Sequence, residues 1–153
     1  MNSSSADSST RIRERAQQSW PAFPKTAPGA APDGPGWWYP PTVLTEVSPG
    51  DRAATEEIFG PVAVVLPFDG EAEAVRLANA SIYGLSGSIW TRDLSRALRV
   101  ARALETGTLS VNSNTSVRVA TPFGGFKQSG VGRELGPHAL DHYTELKNVF
   151  IAT

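Results

Sequence analysis

The chain has 153 residues, 40% of them hydrophobic, with 14 Lys plus Arg against 15 Asp plus Glu, two His and no Cys. Without cysteine there is no disulfide, no thiolate metal site and no thiol nucleophile, since each needs a sulfur that ionises or oxidises. The near-balance of charge leaves no basic surplus to neutralise phosphates, which argues against nucleic acid or an anionic membrane surface as a partner.

Residues 1–35 differ in composition from the rest: Ser crowds the start, and Pro21, Pro24, Pro28, Pro32 and Pro35 then recur among Ala and Gly. Repeated prolines remove backbone donors, and small polar residues bury too little to offset ordering entropy, so this stretch reads as a disordered tail. Arg11, Arg13 and Arg15 give it a faint likeness to a transit peptide, but Asp7 and Glu14 interrupt the pattern and no apolar stretch follows. A cytoplasmic location is therefore the expectation. Apolar runs such as residues 62–66 fall far short of the ~20 residues a membrane-spanning helix needs.

From Gly36 onward, short β-branched runs alternate with helical periodicity, an α/β signature that sets the second region at residues 36–153. Residues 37–44 read as an extended edge segment, because Pro40 and Pro41 argue against a central strand. Residues 62–66 form a continuous apolar run bounded by Pro61 and Pro67, as expected of a strand buried on both faces. Asp69 can cap a helix over 71–80 that places Ala74, Leu77 and Ala78 on one face. A strand follows over 86–91. Asp93 then caps a helix in which Leu94, Ala97, Leu98, Ala101 and Leu104 repeat at helical spacing, Gly107 ends it, and residues 108–112 form the next strand. Short connections between these elements imply parallel crossovers. A Gly-rich loop over 113–132, a helix from near Glu134 and a last strand over 145–151 complete the pattern.

Three constellations invite chemical readings. The loop Thr121-Pro-Phe-Gly-Gly-Phe-Lys-Gln-Ser-Gly-Val-Gly-Arg-Glu-Leu-Gly136 places Gly124, Gly125, Gly130, Gly132 and Gly136 just before the last helix, where a phosphate could meet free N–H groups. Its spacing fits neither the dinucleotide fingerprint nor a P-loop, and backbone packing that needs positive φ explains the glycines better. His138 and His142, with Asp141 between, have the spacing of a two-imidazole metal site, but no Glu takes the Asp141 position and no third ligand is evident, so no metal is expected. No Gly-x-Ser-x-Gly elbow exists. Glu56 and Glu57 are adjacent, so only one of them can face a given site.

Taken together, Glu56-Glu-Ile-Phe-Gly-Pro-Val62, Tyr83-Gly-Leu85, Pro122-Phe-Gly-Gly-Phe-Lys-Gln-Ser-Gly130, Gly132-Arg-Glu134 and Tyr143-Thr-Glu-Leu-Lys147 resemble the closing portion of the NAD(P)-dependent aldehyde dehydrogenase family. The likeness runs from Gly36 to Thr153. It implies a partial three-layer, parallel-sheet catalytic domain with a carboxy-terminal oligomerisation strand. By position, Glu57 matches the glutamate that accepts the nicotinamide ribose hydroxyls, a task suited to the two oxygens of a carboxylate. Phe59 matches the aromatic near the nicotinamide ring, Phe123 a residue of the substrate tunnel, and Glu134 a glutamate that in some members relays protons to the general base. The helix macrodipole would explain a carboxylate at Glu134 equally well.

The departures weigh more than the matches. The family oxidises its aldehyde through a cysteine thiolate, with hydride passing to NAD or NADP and a glutamate base assisting hydrolysis. This chain has no cysteine, and neither the family's Glu-Leu-Gly-Gly base motif nor its glycine-bearing cofactor motif occurs in it. The expectation is a family member's carboxy-terminal part that lacks activity alone, has no catalytic residue beyond the relay match Glu134, and does not hold the cofactor by itself. The alternative is an interaction module that pairs, through its last strand, with an intact or complementary aldehyde dehydrogenase subunit. Expected partners are an aldehyde substrate in the parent family and either a second copy or that complementary chain.

Overall fold

The computed structural model describes residues 25–26 and 33–153. The disordered tail expected over residues 1–35 therefore lies almost wholly outside the described residues. The chain divides into two compact units, the first ending at Asp69 and the second spanning Gly70–Thr153.

In the first unit, β1 (Lys25–Thr26), β2 (Thr42–Leu44) and β3 (Val62–Val64) form one sheet in that order, β1 antiparallel and β3 parallel to β2. The segment read as an edge is thus the central strand. Pro40 and Pro41 precede Thr42, so they cost the ladder no donor: Thr42 N–H reaches the Pro61 carbonyl at 2.8 Å, and the buried Thr42 hydroxyl donates to the Pro40 carbonyl at 2.9 Å. The short helix α1 (Arg52–Thr55) connects the parallel pair. Leu44, Val47 and Ala53 form the buried cluster, with Tyr39, Ile58, Val62, Val64 and Leu66 packed around it. β3 is not buried on both faces, because Ala63 and Val65 are exposed while Val62 and Val64 face the cluster. Its apolar run has one covered face.

The second unit is built around a βαβ crossover. β5 (Ser86–Ile89) pairs in parallel with β6 (Thr108–Val111), from Ser86 opposite Thr108 to Ile89 opposite Val111, and α3 (Leu94–Ala103) connects them. Asp93 caps α3 as its sequence position predicts, accepting the Arg96 N–H at 3.1 Å. That backbone bond is the main reason its carboxyl sits below the usual range. Of the helix's apolar stripe only Ala97 is buried, whereas Leu94 and Leu98 are exposed. α2 (Gly70–Ala78) is tied to α3 by the paired guanidinium–carboxylate bonds of Arg99 and Glu71, 2.8 and 2.7 Å. Those bonds also hold the Glu71 carboxyl below its ordinary value. Both groups are well exposed, so the pair orients the helices more than it stabilises them.

Asn112 prolongs the β5–β6 ladder past its last backbone pair. Its backbone turns to a φ of 52°, and its side-chain amide replaces the strand, accepting from Thr91 N–H and donating to the Thr91 carbonyl at 2.9 Å each. A small antiparallel pair, β4 (Tyr83–Gly84) with β7 (Phe126–Lys127), attaches the Gly-rich loop. The helix expected from Glu134 is instead a 3₁₀ turn over Pro137–His142. Leu135 and Gly136 have φ of 60° and 62°, which right-handed helix excludes, and Pro137 can only open the turn that follows. The strand expected over residues 145–151 does not form, and no strand pairs with that segment among the described residues.

Gly107 lies where backbone meets backbone: a Cβ there would overlap the carbonyl oxygen of Gly124. Gly107→Ala is expected to destabilise the chain by about 3 kcal/mol through overpacking. Gly50→Ala, with open space around the position, should leave the urea midpoint nearly unchanged. Equal midpoints for the two variants would refute the close approach.

Candidate functional site

The Gly-rich loop, not a helix or sheet face, supplies the concave surface of the second unit. Three polar clamps shape it. Lys127, at a φ of 52°, turns its ammonium to the carbonyls of Asn79 (2.8 Å) and Ser81 (3.1 Å) and to the Glu105 carboxylate (2.6 Å), so a cation meets the carbonyls just past α2. Arg133 donates from Nη1 to the carbonyls of Gly125 (3.0 Å) and Gly132 (2.6 Å), and its guanidinium lies 5.4 Å from the Phe126 ring centroid. Ser129 accepts the Gly84 N–H at 2.9 Å. Beneath the loop, Asn79 bonds both the Ala103 carbonyl and the Glu105 N–H.

Between these clamps lies a cavity of about 440 Å³, lined among others by Leu85, Phe123, Ser129, Arg133, Glu134, Leu135, His142 and Tyr143. Phe123 and Glu134 are paired side by side by reciprocal backbone hydrogen bonds of 2.7 Å each, so the two residues matched to substrate and relay roles share one wall. Glu134 does not begin a helix. The macrodipole account of its carboxylate falls away, and the residue's placement comes from this bridge. Glu57 and Phe59 belong to the first unit, in the turn between α1 and β3 where Gly60 N–H bonds the Ile58 carbonyl at 2.9 Å. Both are exposed, Phe59 by 81%.

The His138 and His142 rings have separate partners. His138 Nδ1 lies 3.3 Å from the Asp141 carboxylate, while His142 Nε2 accepts the Arg133 N–H at 3.2 Å, and no cluster able to hold a metal occurs among the described residues. The 3₁₀ turn places residues four apart off a common face. Sequence reasoning missed Arg133, Lys127 and His142 as organisers of the loop. An Arg directly after Gly-Val-Gly was the available signal, since carbonyls crowded by glycine turns need donors.

A model of the aldehyde dehydrogenase family matches residues 4–149, starting well upstream of the Gly36 boundary drawn from motifs. The 2-hydroxymuconic semialdehyde dehydrogenase of Pseudomonas sp. (strain CF600) is 50% identical over 128 residues, 80% of this chain and 26% of that protein. Betaine aldehyde dehydrogenase 1 of Rhizobium meliloti (strain 1021) is 52% identical over 118 residues, 77% of this chain and 24% of that one. Among solved structures, an aldehyde dehydrogenase from Bacillus cereus in complex with NAD+ matches with a TM-score of 0.83 at 41% identity, covering 94% of this chain and 28% of its own. The chain spans about a quarter of the length of the curated relatives it matches.

Arg133→Met keeps the stem and removes both charge-assisted bonds to the loop carbonyls. It should lower stability by about 2 kcal/mol and speed proteolytic cleavage within residues 124–132. An unchanged cleavage pattern would show that the guanidinium does not hold the loop.

Proposed function

Because the chain belongs to the aldehyde dehydrogenase family, we propose that it furnishes the carboxy-terminal part of a site for NAD(P)-dependent oxidation of an aldehyde to a carboxylic acid, and that by itself it has no dehydrogenase activity. One observation carries this reading: Phe123 and Glu134 share a cavity wall in a chain without a single cysteine. In this reading Phe123 lines the path of the aldehyde's carbon chain, and Glu134, held by its bridge to Phe123, passes protons to a base that other residues provide. Glu57 accepts the ribose hydroxyls and Phe59 packs near the nicotinamide. NAD(P), when bound, supplies the hydride acceptor. Two exposed side chains do not replace phosphate and adenine contacts, so the chain alone does not retain the dinucleotide.

With a panel of aldehydes and either NAD or NADP, the purified chain should give no rise in reduced-nucleotide fluorescence over buffer. Calorimetry should find no binding in the micromolar range, roughly −8 kcal/mol. A rate above buffer would overturn the proposal.

A second reading has its own support. Tyr143, Leu146, Val149, Phe150 and Ile151 are all exposed, and residues 145–151 have no strand partner among the described residues. Such a segment can add to the sheet edge of a second copy or of a complementary aldehyde dehydrogenase chain. Co-purification with that partner should disappear on deletion of residues 147–153. Undiminished pull-down after the deletion would reject the docking role.

A further inference from the structure

One contact in the cavity wall is unaccounted for by the family reading. The Arg133 backbone N–H points at His142 Nε2, 3.2 Å away, across from the Gly-rich loop. A ring nitrogen that accepts a hydrogen bond carries no proton, so the neutral imidazole must hold its proton on Nδ1, the less common tautomer of a histidine in water. The fit is close: Gly132, at a φ of 82°, leaves the space the ring edge occupies, and a Cβ there would come within 2.7 Å of both Cε1 and Nε2. Residue 132 is therefore glycine on two counts, its backbone conformation and the imidazole packed against it.

We infer that His142 is a positioning residue: its Nδ1–H imidazole locks residues 132–134 into the cavity wall by accepting the Arg133 amide, and protonation of the ring releases that wall. Protonated imidazole has two N–H donors and no acceptor, so the Arg133 amide would face a donor instead of a lone pair. Other charged groups line the same cavity or share the ring's turn. From the loop side these are the Arg133 guanidinium, already committed to the Gly125 and Gly132 carbonyls, and the Glu134 carboxylate. From its own turn they are His138 and Asp141, which pair with each other at 3.3 Å, and Tyr143 adds a neutral phenol. Glu134 follows Arg133 directly, so freeing the Arg133 amide loosens the strand segment that bridges Phe123. The catalytic consequence, a Glu134 relay that slackens in acid, rests on the aldehyde-oxidation reading. The hydrogen bond does not.

Nitrogen-15 NMR of the full 153-residue chain tests the bond directly. At neutral pH, long-range ring correlations should report His142 as the Nδ1–H tautomer. In a pH titration, the Arg133 and Glu134 amide signals should shift together with the His142 ring. His138 is the chain's other histidine, so the same shifts must persist in His138→Gln. In His142→Gln, whose amide oxygen can accept without titrating, both signals should hold their neutral-pH positions throughout. An Nε2–H tautomer, stationary Arg133 and Glu134 signals, or a titration that survives in His142→Gln would each overturn the inference. Should His142→Gln fail to fold, the tautomer and the His138→Gln titration decide alone. A failed aldehyde-oxidation assay bears on neither measurement.

Discussion

The second unit depends on the Lys127 ammonium. The Gly-rich loop has no helix and only two strand residues of its own, so little besides polar contact can attach it to the βαβ core. Lys127 does so by meeting two backbone carbonyls beyond α2 and the Glu105 carboxylate beyond α3. Carbonyls at helix ends lack intrahelical donors and carry the negative end of the dipole, so one cation there satisfies hydrogen bonding and electrostatics together. Lys127's own side chain is mostly covered while Glu105 is exposed, so its bonds to the backbone carbonyls, more than the ion pair, are shielded from solvent. Once Lys127 is seated, β7 lies against β4, Ser129 reaches Gly84, and Arg133 is left to tie the loop to itself. Of these clamps, Ser129 and Arg133 line the cavity.

Polar clamps matter here because apolar burial is sparse. Among the described residues the buried apolar side chains are Leu44, Val47, Ala53 and Ala97, while Trp90, Leu94, Val119, Val131, Leu146 and Phe150 are among the large ones left exposed. Hydrophobic burial is ordinarily the dominant favourable contribution to folding, and a chain of this size normally covers far more of its apolar surface. The same contrast appears strand by strand. Val62 and Val64 pack on the Leu44 cluster while Ala63 and Val65 do not, although the run's composition suits a strand covered on both sides. A stripe such as Leu94, Ala97 and Leu98, with only its smallest member buried, is patterned for more contact than this chain supplies.

Local signals were the legible ones. Asp93, the α3 periodicity and the β5 and β6 runs each act within a few residues, and each forms where the pattern places it. What escaped reading was set by partners far along the chain. Pro40 and Pro41 argue against a central strand only if they fall inside it, and the β1–β2–β3 order shows them just before it. The turn at Leu135 and Gly136 bars a helix from Glu134 because that glutamate's backbone is taken by Phe123, a long-range bridge no propensity encodes. The site was legible in the same partial way. Phe123 and Glu134 were matched as separate motif positions, and the bridge gives them a common wall. Arg133, Lys127 and His142 act on carbonyls and amides, and backbone partners leave no trace in side-chain spacing.

The cavity also explains why a hydroxyl, an imidazole and a carboxylate gathered in one place do not amount to a hydrolytic centre. Ser129, His142 and Glu134 all line it. A serine becomes nucleophilic when an imidazole nitrogen with a free lone pair takes its proton, and a carboxylate orients that imidazole from the far side. Here the Ser129 oxygen already accepts the Gly84 amide, and the one nitrogen of His142 able to act as base is occupied by the Arg133 amide. The hydroxyl and the imidazole that could start such chemistry are instead holding backbone in place. The residues of this wall are disposed to shape and orient.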